Sequence, residues 1–182
     1  MESPIKPVKN SVAFVIYNRN RTHFLIVKRP PDDERLPDVW GLPAGSLRGE
    51  ETYEEAIMRS GREKLGVELK VVGKIGEGEI DLGDYILHLE EYEAEILHGE
   101  PQVPQPIPGI TQYVQWKWGK SSDLIEAAQK GSLCSQVYLS QVDQKTGQGD
   151  SSNAKAEPGR KLPDKALSIF TCFGSPLRVK WF

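Results

Sequence analysis

The sequence predicts an α/β domain in which a mixed β-sheet carries helices on its faces. Short β-branched and aromatic segments recur along the chain, the composition of strands packed on a core. Two polar, helix-favouring segments interrupt them at separated places, each ending at a glycine. Strands mixed with separated helices fold as layers, sheet against helix. With 182 residues and 38% hydrophobic content, the chain can bury one respectable core.

The segments "SVAFVIY" (11–17) and "HFLIVKR" (23–29), joined by the polar "NRNRT", read as a hairpin. "VWGLPAG" (39–45) is a third extended piece. A helix should begin near Glu51 or Thr52 and run through "ETYEEAIMRSGREKLG" to a stop at Gly66. Its one flaw is Gly61, which costs about 1 kcal/mol against alanine inside a helix. "VELKVVGKI" (67–75), "DYILHLEEYEAEI" (84–96) and "YVQWKW" (113–118) return to strand chemistry. "SSDLIEAAQKG" (121–131) has a serine cap, a helical body and a glycine stop.

These elements assign residues 1–140 to the domain. Residues 141–162 are polar and rich in Gly, Ser and Gln, and are expected to form a disordered linker. Residues 163–182 turn apolar again and are expected to dock on the domain or on a partner. The formal net charge is −3, which gives no global attraction to nucleic acid or an anionic membrane. The first thirty residues do carry Lys6, Lys9, Arg19, Arg21, Lys28 and Arg29 against Glu2 alone. The acidic overall balance argues against broad nucleic-acid affinity. Cys134 and Cys172 lie far apart and read as reduced thiols. The opening "MESPIKPVKN" has no apolar signal stretch, and no apolar run approaches the roughly 20 residues that cross a bilayer. A cytoplasmic protein is expected. His23, His88 and His98 show no metal-site spacing, and Ser60 has no evident histidine–acid partner.

Residues 45–67, "GSLRGEETYEEAIMRSGREKLGV", resemble the box of the Nudix hydrolase family. That pattern is Gly, five residues, Glu, seven residues, then Arg-Glu-aliphatic-any-Glu-Glu-any-Gly-aliphatic. Gly45, Glu51, Arg59, Glu63, Gly66 and Val67 fall on it with the full spacing; Ser60, Gly61 and Lys64 depart from it. "FLIVKR", "WGLPAG" and "YILHLEEYEAEI" resemble the family's surroundings, and the likeness spans about residues 10–140. It implies an α/β/α sandwich with a loop–helix–loop box, hydrolysing a nucleoside diphosphate linked to another group with Mg²⁺ or Mn²⁺. Carried onto this chain, it makes Glu63 the surviving metal ligand, with the Ala44 or Gly45 carbonyl adding an oxygen. Arg59 would orient Glu63, and Glu51 would brace the loop. Arg29 would lie beside the substrate. "LPAG" resembles members that act on ADP-ribose-like compounds.

Helix positions 60, 63 and 64 converge on one face. Three carboxylates there would suit Mg²⁺, which takes oxygen ligands; here the face reads Ser60, Glu63, Lys64. A lysine repels a metal but attracts a phosphate. Without the box spacing, Glu55, Arg59 and Glu63 would be an ordinary i, i+4, i+8 ion ladder. Outside the box, Glu77, Glu79 and Asp81, or Glu91, Glu93 and Glu95, alternate as acids that would complete a metal site or simply face solvent. Trp116 and Trp118 share a face and suit core packing better than base stacking. Two readings follow. One is a diphosphohydrolase with a weakened metal site. The other is a fold that kept its pocket, lost catalysis, and holds a nucleotide, RNA or protein with Lys64, Arg62 and Arg29.

Overall fold

The computed structural model describes residues 5–110 and 112–147. Among these residues, seven strands form two sheets. β1 (Val8–Val15), β4 (Ala44–Ser46), β5 (Glu68–Asp81) and β6 (Ile86–His98) lie in the order β4-β1-β6-β5. β2 (Phe24–Lys28), β3 (Trp40–Gly41) and β7 (Gln115–Gly119) lie in the order β3-β2-β7. β1 runs parallel to β6 and every other pairing is antiparallel, so the sheet is mixed.

The expected hairpin is only partly formed. β1 and β2 meet at one bridge, Tyr17 with Phe24, and then diverge into different sheets. The reason lies in their burial. Val12–Val15 and Phe24–Val27 are almost wholly buried on both faces, so each strand takes partners from distant parts of the chain rather than from the other.

Alternation splits the interior in two. Val12, Phe14, Leu25 and Val27 pack beneath α1 (Tyr53–Ser60) with Ile57 and Leu65. Ala13, Val15, Phe24 and Ile26 pack on the other side with Leu133, Val137 and Tyr138 of α3 (Leu133–Gly147). A 3₁₀ turn (Ser121–Leu124) and the short α2 (Ile125–Gln129) lead into α3. Helix on one face and helix on the other make an α/β/α sandwich.

α3 is a third helix that the sequence did not announce, because its serines, valines and threonine are weak helix formers and it shows no clear apolar stripe. Tertiary packing holds it. A Cβ at Gly76 or Gly78 of β5 would stand 2.9 Å or 2.8 Å from the Val137 side chain, so these glycines let α3 settle on the strand. The helix runs to Gly147, into the expected linker. The remainder of that linker and the apolar tail lie outside the described residues.

Candidate active site

The box helix starts where its capping predicts. Thr52 Oγ1 accepts from the Glu55 N–H at 3.2 Å, and the Glu55 carboxylate accepts from the Thr52 N–H at 2.8 Å, a reciprocal capping box. Glu55 is therefore committed to the cap, and no Glu55–Arg59 rung forms. After Ser60 the helix widens into a π turn, Gly61–Leu65, of a kind that often sits at functional sites. The glycine flaw has a reason: a Cβ at Gly61 would lie 2.6 Å from the Leu69 side chain of β5.

Arg59 is the hub of the loop–helix–loop. Its Nε and Nη2 donate to the two Glu51 oxygens at 2.6 and 2.8 Å. The same Nη2 donates to the Ser46 carbonyl at 2.8 Å, and Nη1 donates to Glu63 Oε2 at 3.2 Å. A residue the sequence did not single out, Arg48, closes the other side of Glu63. Its Nη1 and Nη2 donate to Oε1 and Oε2, both at 2.9 Å. Burial alone would raise the Glu63 pKa, but the hydrogen bonds from Arg48 and Arg59 outweigh it and hold the carboxylate below its ordinary value. Glu51 is held low chiefly by its hydrogen bond from Arg59.

Lys64 points to the opposite partner. Its Nζ donates to the Ala44 carbonyl at 2.6 Å and lies 5.4 Å from the centre of the Tyr113 ring. The Tyr113 hydroxyl donates to the same carbonyl at 3.1 Å and accepts from the Ala44 N–H at 2.9 Å. Ser60 is fully buried, and its Oγ has no hydrogen-bond partner among the described residues. A Cβ at Gly45 would stand only 2.2 Å from that Oγ, so Gly45 and Ser60 occupy one tight contact between β4 and the helix.

Lys64, Ala44, Gly45 and Tyr113 line a cavity of about 260 Å³, whereas Ser60, Glu63, Arg48, Arg59 and Glu51 are not part of its lining. Arg29, Arg35 and Lys64 give it positive charge, and Leu36, Leu87, Leu89 and Leu133 give it an apolar wall. Arg29 is set by Asp33, whose Oδ2 accepts from its Nη1 at 2.9 Å. Asp33 Oδ1 is taken by the N–H groups of Arg35 and Leu36. Among the described residues, Asp33 is the one acid lining the cavity.

The other singled-out residues lie elsewhere. Arg62 is exposed on another side of the wide turn, 3.4 Å from Glu68. Glu77, Glu79 and Asp81 share one face of β5, and its register sets them beside Glu90, His88 and Ile86. Leu87 and Leu89, which line the cavity, project from the opposite face. Those acids have partners of their own in Lys74, His88 and Lys6. The fold does bring His88 near Glu77 and Glu90, with ligand atoms within 4.8 Å, a grouping across two strands that sequence spacing cannot reveal. Lys74 bonds both glutamates and compensates their charge. Glu93 pairs with Arg21, while Glu91 is wholly buried in the core. Trp116 and Trp118 contact each other edge to face at 5.9 Å, but Trp118 remains 40% exposed. Of the basic residues near the start, Lys6, Arg21, Lys28 and Arg29 are paired with acids.

Residues 7–131 match the family model described as the NUDIX domain. The chain belongs to the NUDIX family. Solved structures agree on the fold of this NUDIX domain. The MutT protein from Methanosarcina mazei superposes with a TM-score of 0.60 at 15% identity, covering 82% of this chain and 100% of its own. A UDP-X diphosphatase gives 0.58 at 17% identity, covering 80% and 66%. An ADP-ribose pyrophosphatase from Streptococcus suis gives 0.51 at 13%, covering 80% and 96%. No curated protein matches the sequence significantly. No helix among the described residues is long and apolar enough to cross a membrane.

The family implies Mg²⁺ or Mn²⁺, and the residues of this NUDIX domain do not fit such an ion. Both Glu63 oxygens are taken by arginines, and the Ala44 carbonyl is taken by an ammonium. An Mg²⁺ on that carbonyl at about 2.1 Å would lie no more than about 5 Å from Lys64 Nζ. At an effective dielectric of 20 the repulsion is at least about 7 kcal/mol. The ion would have to evict the lysine first, and Ser60 offers it only a neutral hydroxyl.

Proposed function

We propose that this NUDIX domain binds the diphosphate of a nucleotide-like ligand directly, without metal-dependent hydrolysis. Of the two readings left open by the sequence, the hydrolase needs a metal cluster and the binding module needs only a pocket with cations. The observation that carries the second is the Lys64 ammonium seated on the Ala44 carbonyl at 2.6 Å, with Glu63 clamped between Arg48 and Arg59.

Two monocations, Arg48 and Lys64, stand on the oxygens that would otherwise meet one dication. Lys64, Arg29 and Arg35 line the cavity and offer charge-assisted hydrogen bonds to phosphate oxygens. Asp33 sets the angle of the Arg29 guanidinium. None of these groups ionises a water as a bound metal does. The names of the UDP-X diphosphatase and the ADP-ribose pyrophosphatase support diphosphate-linked nucleosides as the ligand class.

The test is a panel of such compounds assayed for both binding and release of product, with Mg²⁺, with Mn²⁺ and with EDTA. Binding that persists in EDTA without turnover is expected. Metal-dependent turnover by the unaltered protein would return the domain to the hydrolases.

A further inference from the structure

β6 is longer than its neighbour. The pairing of β1 with β6 ends at Val15 and Glu93, whereas β6 continues to His98 with β5 alone beside it. Beyond Ala94, which is buried, the β1 side of β6 has no strand among the described residues. Glu95, Leu97 and His98 are exposed there, Leu97 by 54%. A groove of about 400 Å³ lies along this edge, lined by Glu93, Ala94, Glu95 and Ile96. Consecutive strand residues point to opposite faces, so what four in a row present together is the edge of the strand. Trp118 of β7, 40% exposed, stands in the same lining. An open edge of this kind is a template for another strand, because alternate N–H and C=O groups turn outward without partners.

The chain itself carries a segment suited to that edge. Residues 165–173, "KALSIFTCF", are rich in aromatic, β-branched and other apolar residues and hold neither proline nor glycine, the composition of a strand. α3 brings the chain toward the edge. A Cβ at Gly78 would meet Leu133 and Val137, and one at Gly76 would meet Val137 and Gln141. The helix therefore advances along β5 toward the start of that strand. Across from the start lies the open end of β6, with Leu69 paired to Ile96 and Glu68 to His98. The eighteen residues from Gly147 to Lys165 reach up to about 60 Å, and a domain of this size is roughly 40 Å across. A tether of that length holds the segment at an effective concentration on the order of millimolar.

We propose that residues 165–173 dock on their own domain by strand addition, pairing with Glu95–His98 of β6. Main-chain hydrogen bonds supply the attachment, and alternate side chains supply its specificity. Leu167, Ile169 and Phe173 fall on one face of the added strand, and that face covers Trp118. The domain thereby closes an edge that would otherwise be open to a second copy of the chain.

The experiment is amide hydrogen exchange, read by mass spectrometry, on the full chain and on the double variant Ile169→Pro, Phe170→Pro. Adjacent strand residues turn their N–H groups to opposite sides, so one of the two prolines removes a bonding group in any register. Residues 165–173 and Glu95–His98 should exchange about tenfold or more slowly in the parent than in the variant. Peptides from α1 and β2 should exchange equally in both, which shows that the domain remains folded. Trp118→Ala should also speed exchange in 165–173. Exchange of 165–173 in the parent at the rate of an unstructured peptide would overturn the inference. Protection of 165–173 that the prolines remove without any change at Glu95–His98 would place the segment on another surface and overturn it too. Protection that rises with protein concentration, alongside a dimer in light scattering, would mean pairing with a second copy and would overturn docking within one chain.

Discussion

Replacing Glu91 by glutamine should flatten the pH dependence of folding stability. Glu91 lies on β6 between Ala13 of β1 and Gly76 of β5, on the face covered by α3. It is fully buried, neither oxygen has a hydrogen-bond partner among the described residues, and Cys134 and Tyr138 are titratable neighbours. Burial raises its pKa well above the ordinary value of 4.5, so the folded protein holds a proton that the unfolded chain releases. Stability therefore falls as pH rises above the unfolded value, by about 1.4 kcal/mol per unit while the buried acid stays protonated. Between pH 5 and pH 7 the parent should lose up to about 2.6 kcal/mol relative to Glu91→Gln, whose amide does not titrate. Glu91→Leu should show the same slope difference and gain stability at neutral pH, because two unpaired polar atoms leave the core. Urea unfolding at several pH values reads both effects. A pH-independent difference, or a glutamine variant less stable than the parent at pH 8, would mean that Glu91 is ionised and paired, and would refute the reasoning.

Three other outcomes test the box. Arg59→Met should cost about 2–4 kcal/mol in urea unfolding, since Arg59 is 13% exposed and joins Glu51, Glu63 and Ser46. The Glu51 and Glu63 pKa values are depressed, so that cost should be full above about pH 4.5 and shrink as the pH falls through their folded values. Gly45→Ala should destabilise by about 1–3 kcal/mol, and Ser60→Ala should recover part of it by removing the Oγ that stands 2.2 Å from the new Cβ; a double mutant no better than Gly45→Ala would place the strain elsewhere. The pair Ser60→Glu with Lys64→Glu should create a cation site, so that Mg²⁺ raises the melting temperature of the double variant and not of the parent.

The box helix, its glycine stop and most strands could be read from local chemistry, because helix-favouring runs, glycine stops and β-branched runs act within a few residues. The diverging β1 and β2 could not, since burial on both faces gives no local sign of which strand each will meet. α3 is held by its contact with Gly76 and Gly78, which lie more than fifty residues away in the chain. The same limit applied to the site. Lys64 was visible as a departure from a spacing, but its seat on Ala44 depends on how β4 lies against the wide turn. Arg48 stands where the box admits any residue, and Asp33 lies in a loop with no pattern, so neither carried a signal. Glu91, noted as one of an alternating acid series, proved to face the core, because the alternation of β6 continues Leu87 and Leu89 inward.

The most direct measurement is the affinity for ADP-ribose, by calorimetry, in excess EDTA and in saturating Mg²⁺, for the parent and for Lys64→Met. If Lys64 has taken the metal's place, the parent binds with the same dissociation constant in both buffers. The variant should then lose about tenfold or more, the value of a charge-assisted hydrogen bond. Binding by the parent that requires Mg²⁺ and is unaffected by the loss of Lys64 would contradict the account.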